Sequence, residues 1–283
     1  MATKWFASVQ HHRKVMTDWI HADRLNAMAV TLHSHLFPSS PEPRLFTDAD
    51  PLPFGWHRLL FQPRTIESKL SSDGYEPEFA PPGFNRRVWA GATLRRHIDN
   101  PLRAGQHVRE TTTVSHMKQR QDVVFVVLNK VIENQDGLAV EDQRTLAYFN
   151  SNRLKLGPSA SSTRNVFDAR HTVMPSSTLL FRYSALTFNS HKIHYDLAYA
   201  RDVEGYPDLV VHGPLTSTLL LDWYASRVPS AVVRSWSYRA LHPLFCNQPL
   251  HLHCQQVQDD AVRLYVTNDE GVLCMDGLAA LYY

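Results

Sequence analysis

The sequence predicts an α+β protein made of two copies of one unit, an enclosed helix wrapped by an antiparallel sheet. Three observations predict it. The order of a helix followed by strands occurs twice along the chain, and turn sequences at Asn134–Gly137 and at NDEG separate neighbouring strand candidates. The helix of the second copy also carries apolar residues over most of one side, as a helix surrounded by a sheet requires. With 283 residues, 43% of them apolar, the chain has enough material for a substantial core in one large or two smaller domains.

Taken in order, the first element spans Asp18 to Leu36, where Leu25, Met28, Ala29, Leu32 and Leu36 recur at steps of three and four and mark one face of a helix. Thr17 or Asp18 is placed to cap it. The proline-rich stretch PSSPEPRLFTDADPLPFGWHRLLFQPR then forbids long regular structure. Strands are expected at 106–117, 122–132 and 139–149. The second, nearly continuous in Val, Phe and Leu, reads as a central strand buried on both faces. Residues 151–177 are polar, Ser-rich and without periodicity, and read as a connection between an N-terminal half, 1–155, and a C-terminal half, 156–283. The second helix is expected at 212–228, with Leu215, Leu219, Leu220 and Trp223 facing inward, followed by strands at 232–240, 249–256, 261–267 and 272–282.

Several function classes are excluded early. Twenty-nine basic residues against 27 acidic ones, interspersed along the chain, give a net charge of +2 and no nucleic-acid stripe. Cys246, Cys254 and Cys274 fit neither a disulfide framework nor a zinc knuckle, which favours a reducing compartment, cytoplasmic or mitochondrial. No apolar run is long enough for a secretory signal or a spanning helix. Among 16 histidines, the pairs His33/His35, His191/His194 and His251/His253 lack a converging third ligand, so neither a metal nor a cofactor is expected.

The segment TFNSHKIHYD, 187–196, gains meaning beside HGPL at 212–215. Pro214 suits the first turn of a helix and places Gly213 at or next to its N-cap. The N-terminus of a buried helix offers unbonded N–H groups and the positive end of a dipole, which stabilise a developing oxyanion. A nearby histidine moves a proton. Together they suit chemistry alpha and beta to a carbonyl, with a plain helix start and a loop histidine as the alternative.

FRYSALTFNSHKIHYDLAYAR, followed by GYPDLVVHGPLTSTLL, resembles the MaoC-like (R)-specific enoyl-thioester hydratases and 3-hydroxyacyl-thioester dehydratases. Within them it is similar to the two-domain group of the mitochondrial-type hydroxyacyl-thioester dehydratase and mesaconyl-C4-CoA hydratase. DGYEPEFAPPGFNRRVWAGATL and VVFVVLNKVI extend the resemblance into the first half, which carries no second active-site segment. The resemblance implies a double hot-dog fold. It places His194 on the catalytic histidine of D-x-N-P-x-H, Asn189 on the aspartate, and His191 and Lys192 where Asn-Pro stands. Because an amide cannot ionise, Asn189 can orient water or a hydroxyl but cannot serve as base. The family's oxyanion donor falls on Gly213.

The implied partner is an acyl-CoA or acyl-carrier-protein thioester, with a homodimer left open. Arg86 and Arg87 suit either carrier phosphates or an ordinary surface or interdomain pair, and Tyr183, Tyr195 and His212 are candidates for the pocket wall. Asp196 reads as the cap of the short helix starting at LAYARD. Two other functions stand against the hydro-lyase. A non-catalytic acyl-thioester-binding module has no use for a base beside an oxyanion donor, and a thioesterase needs a carboxylate where Asn189 stands.

Overall fold

A computed structural model describes residues 2–150 and 169–282, so the expected boundary between 155 and 156 lies outside the described residues. The first set of elements is α1 (Ala2–Val9), β1 (Arg13–Trp19), α2 (Ala22–Leu36), β2 (Arg86–Arg96), β3 (His107–Arg120), β4 (Val123–Asn134) and β5 (Gly137–Phe149). The second is β6 (Ala169–Val173), α3 (Ser177–Thr187), α4 (Gly213–Arg227), β7 (Val232–Ala240), β8 (Leu250–Gln258), β9 (Ala261–Asn268) and β10 (Leu273–Tyr282).

All ten strands form one antiparallel sheet in the order β1-β3-β4-β5-β2-β7-β10-β9-β8-β6. Read outward from the middle, β2-β5-β4-β3-β1 and β7-β10-β9-β8-β6 are the same pattern, so the repeat visible in the sequence is a repeat of topology. The halves meet where Gly91 to Arg95 of β2 pair with Arg239 to Ser235 of β7. Gly91 sits at a bulge in the β2–β5 pairing, and a side chain there would collide with the Tyr238 carbonyl across the seam.

The helix α4 is enclosed as expected. Leu215, Leu219, Leu220 and Trp223 are buried, and so are the polar Thr216, Ser217 and Thr218. The polar three are tolerated because each hydroxyl has a partner: Thr216 and Thr218 donate to the carbonyls of His212 and Pro214, and Ser217 Oγ accepts from Trp236 Nε1 at 3.0 Å. The helix α2 buries only one face, through Leu25, Met28, Leu32 and Leu36.

Three local expectations are corrected. Residues 13–19 form β1, paired with β3 from Arg13–Thr113 to Trp19–His107, so Thr17 and Asp18 lie in a strand and do not cap α2. The Asp18 carboxylate instead accepts from Arg24 Nη1 and from the backbone N–H of Phe61. In β4 only alternate residues, Val124, Val126, Leu128 and Ile132, are buried, because a single sheet with α1 and neighbouring loops on one side leaves its other face half-exposed. Finally, β6 occupies the end of the stretch expected to be a connection.

Candidate active site

Ser176 opens α3 by accepting the N–H of Leu179 at 3.1 Å, and Phe188 ends it in a left-handed conformation, φ 50°. The chain therefore turns sharply at Asn189, whose N–H bonds the Ser184 carbonyl at 2.8 Å. Asn189 Oδ1 accepts the N–H of His191 at 3.1 Å. A 3₁₀ turn, Lys192–His194, follows, pinned by Lys192 N–H to the Asp73 carbonyl and by Val210 N–H to the Ile193 carbonyl, each 2.9 Å. These bonds leave His194 little freedom.

His194 lies 2.7 Å from the Val210 carbonyl through Nδ1. A carbonyl only accepts, so Nδ1 carries the proton and Nε2 holds the lone pair. The ring stacks on His212 with centroids 3.6 Å apart and planes 22° from parallel. His212 in turn is fixed through Nε2 to Ser184 Oγ at 2.8 Å, and it is the N-cap residue of α4, directly before Gly213. The stack thus couples the histidine to the helix start. Bonding within α4 begins with Thr216 N–H to the His212 carbonyl, and no side chain caps the first turn, so the Gly213 N–H has no acceptor in the helix.

A cavity of about 640 Å³ opens on this arrangement, lined by Asn189, His191, His194, Gly213 and Tyr183 and, from the other half of the sheet, Trp89. Burial, helped by nearby His191, pushes the His194 imidazole down to about 3 and keeps it neutral. Burial followed by the Arg87 charge does the same for His191, also to about 3. Tyr183 is buried and pushed up to about 12 by burial, so it remains a phenol.

The candidate wall residues separate. Tyr183 reaches the cavity. Tyr195 does not: it is exposed and its hydroxyl donates to the Ser190 carbonyl at 3.2 Å. His212 is fully buried behind His194 and acts as its support. Arg86 and Arg87 are both buried and used internally. Arg86 Nε meets Glu204 at 2.8 Å, joining β2 to the segment before α4, and Arg87 meets Asp73 at 2.7 Å between the rings of Tyr75 and Tyr148. Arg86 thus pairs across the two halves, whereas Arg87 pairs within the first half and also lines the cavity. Asp196 accepts the N–H of Tyr199 at 2.9 Å, the capping role expected of it.

Among the described residues, no group of three or more His, Cys, Asp or Glu is arranged to hold a metal. His251 and His253 bond Thr172 and Thr267, each at 3.0 Å.

The profile described as hydroxyacyl-thioester dehydratase type 2 matches residues 55–246. Mesaconyl-C(4)-CoA hydratase of Chloroflexus aurantiacus is 35% identical over 273 residues, covering 94% of this chain and 95% of that protein. The chain belongs to the hydroxyacyl-thioester dehydratase type 2 family. The mitochondrial hydroxyacyl-thioester dehydratase type 2 of Schizosaccharomyces pombe is 30% identical, over 84% of this chain and 88% of that one. The crystal structure of a MaoC-like dehydratase from Phytophthora capsici superposes with a TM-score of 0.71 at 14% identity, over 100% of this chain and 99% of that one, and shows the hot-dog fold.

As a member of this family the chain is a hydro-lyase of acyl thioesters. Sequence reasoning missed His191 and Trp89 as cavity residues. The H-x-x-H spacing was a signal for the first, since a 3₁₀ turn brings residues three apart onto one side, and here the two rings meet edge to face at 5.4 Å. Trp89 gave no local signal, because only the β2–β7 seam carries it to Gly213.

Proposed function

We propose that the chain interconverts 2-enoyl and 3-hydroxyacyl thioesters with His194 as the sole acid/base and the Gly213 N–H as oxyanion donor. One observation carries this reading: a neutral histidine with its lone pair on Nε2 is stacked on the residue that precedes an uncapped helix N-terminus, and both line one cavity.

In hydration the thioester oxygen accepts the Gly213 N–H, which with the helix dipole stabilises the enolate. His194 Nε2 takes a proton from water as the water oxygen bonds to C3, and the two electrons of the C2–C3 double bond pass to the enolate. The imidazolium then gives that proton to C2, and the carbonyl re-forms. Dehydration is the reverse. A single base on one face makes the addition syn. Asn189 has Oδ1 occupied by the His191 N–H, so what it offers the water or hydroxyl oxygen is its NH₂ group.

The relatives' names cover a mesaconyl thioester and hydroxyacyl thioesters, and the carrier is coenzyme A or an acyl carrier protein. Both sets of strands around the cavity belong to one chain, so the site is complete without a second copy even if the protein dimerises. No described helix is long and apolar enough to cross a membrane. The cysteines form no disulfide among the described residues, which supports a reducing location, mitochondrial like the yeast relatives or cytoplasmic. The repeated strand order supports a division into two halves between β5 and β6. Incubation with crotonyl-CoA, following enoyl absorbance beside a free-thiol assay, tests the reaction: loss of absorbance without thiol release is expected, and thiol release alone would make the protein a thioesterase.

A further inference from the structure

The water that attacks C3 carries two hydrogens, and His194 Nε2 takes only one of them. Asn189 does not serve the other, because its Oδ1 is bonded to the His191 N–H at 3.1 Å and the group it turns to the cavity is a donor. An acceptor for the second hydrogen has to come from another residue, and His191 supplies one.

The His191 ring lines the cavity beside His194, edge to face with centroids 5.4 Å apart. Its backbone is tied to both neighbours of the site: the N–H to Asn189 Oδ1 and the carbonyl to the His194 N–H, each at 3.1 Å. The side chain is only 7% exposed, and its two nitrogens differ. Nε2 is fully enclosed without a hydrogen-bond partner among the described residues and lies 3.7 Å from Asp73 Oδ2. Asp73 cannot turn away, since Arg87 holds it at 2.7 Å and the Tyr75 N–H at 3.0 Å. That separation is too long for a hydrogen bond, but a carboxylate oxygen attracts an N–H and repels a lone pair. The proton of the neutral ring therefore sits on Nε2 and the lone pair on Nδ1. Nδ1 makes no hydrogen bond among the described residues and is not enclosed, so its lone pair meets the cavity. His194 Nε2 and Asn189 Nδ2 are open in the same sense. One base, one acceptor and one donor thus face a common space.

We infer that His191 Nδ1 accepts the second hydrogen of the attacking water and, in the reverse direction, the hydroxyl hydrogen of the 3-hydroxyacyl thioester. All four directions of the water oxygen are then used. One hydrogen goes to His194 and the other stays on the product hydroxyl, bonded to His191. One lone pair accepts from the Asn189 NH₂ group, and the second forms the bond to C3. Two rings with centroids 5.4 Å apart can each reach one oxygen at about 2.8 Å. His191 neither gains nor loses a proton. It aims the lone pair at C3, and in dehydration it turns a hydroxyl lone pair toward the His194 imidazolium.

This inference rests on the hydro-lyase reading, and the experiment separates the two. His191→Phe keeps a ring and removes the acceptor. In His191→Asn the amide oxygen can stand where Nδ1 stood, whereas His191→Gln carries its amide out to the place of Nε2. For each, kcat and KM are measured for hydration of crotonyl-CoA and dehydration of (R)-3-hydroxybutyryl-CoA, and binding of butyryl-CoA, which has neither a double bond nor a hydroxyl, is followed by calorimetry. The Phe and Gln variants should lose roughly tenfold or more in kcat in both directions, with KM and butyryl-CoA binding changed by no more than about threefold. His191→Asn should recover most of that loss. A Phe variant with kcat within about threefold of the parent, a Gln variant as active as the Asn variant, or a loss that appears equally in butyryl-CoA binding would overturn the inference. If His191→Phe does not fold, the Asn and Gln variants decide it alone. An unaltered protein that turns over neither substrate defeats the hydro-lyase reading and this inference with it, whereas an active protein indifferent to His191 defeats the inference only.

Discussion

Adding one methyl group at Gly213 probes the oxyanion assignment without touching any ionisable group. The Cβ of Gly213→Ala would stand 3.1, 3.3 and 3.4 Å from Cδ1, Cγ and Cβ of Trp89, so one of the two must yield by a few tenths of an ångström. Trp89 yields poorly: its Nε1 donates to the Tyr238 hydroxyl at 3.0 Å, and two guanidinium groups rest on its ring. Overpacking of this kind costs about 1–3 kcal/mol. Full loss of an oxyanion donor costs roughly 10²–10³ in kcat, and a partial displacement of the helix start should cost about 10–100-fold. The assay is steady-state hydration of crotonyl-CoA, with the melting temperature measured on the same preparation. The expected result is a lowered kcat in a folded protein whose melting temperature drops by only a few degrees. A variant with unchanged kcat would refute the placement of the thioester oxygen on this N–H, since any yielding at Gly213 moves that donor.

Four further outcomes are expected. His194→Ala abolishes turnover while Asn189→Asp retains or raises it, read in the same absorbance assay. The acid limb of kcat/KM lies well below pH 6.5, because His194 must be neutral to accept a proton and burial pushes its imidazole down to about 3; a limb at the ordinary histidine value would show a solvated ring. Arg86→Met leaves Glu204 buried without its cation and destabilises the fold by about 3–5 kcal/mol in urea denaturation, more than Arg86→Met combined with Glu204→Leu. Asp222 is held by Trp56 Nε1 at 2.9 Å and its carboxyl is pushed up to about 7 by burial. A raised acid pKa stabilises the fold at low pH and loses that contribution as pH rises from the unfolded value through about 7. Asp222→Asn, which stays neutral, should therefore raise the melting temperature relative to the parent more at about pH 8.5 than at about pH 5.5.

The parts of the fold legible in the sequence were those whose signal is local. The strands β3 to β5 and β7 to β10 are runs of eight residues or more that hold many β-branched and apolar side chains, and α4 announces itself through Gly213-Pro214 and an apolar side. In β1 an alternating pattern runs for only seven residues directly ahead of a helix, and its partner β3 lies some ninety residues on, so helical periodicity absorbed it. The sequence RRVWAGATLRR hid β2 behind four arginines and a bulge glycine.

The site divides the same way. His194, Asn189 and Gly213 belong to two short segments of the second half and could be read from spacing and helix-start chemistry. Arg86 and Arg87 could not be assigned, since adjacent strand residues point to opposite faces, one toward Glu204 and the other toward Asp73. Trp89 and Arg58 meet Gly213 and Tyr238 only across the seam, a contact that no local pattern encodes. Tyr195 was misplaced because the irregular backbone after a 3₁₀ turn gives no period from which to tell inside from outside.

The joining of β2 to β7 bears on how the protein behaves in a crowded solution. A five-stranded sheet standing alone has a bare edge at each side, and bare edges recruit strands from other molecules. Fusion covers part of one long edge of each half: Gly91 to Arg95 of the 11-residue β2 lie against Arg239 to Ser235 of the 9-residue β7. What remains outermost is β1, seven residues with Arg13 and Lys14 at its start, and β6, five residues including Arg170. Short, charged borders are poor templates for further pairing, so the seam that builds the cavity also guards the chain against aggregation.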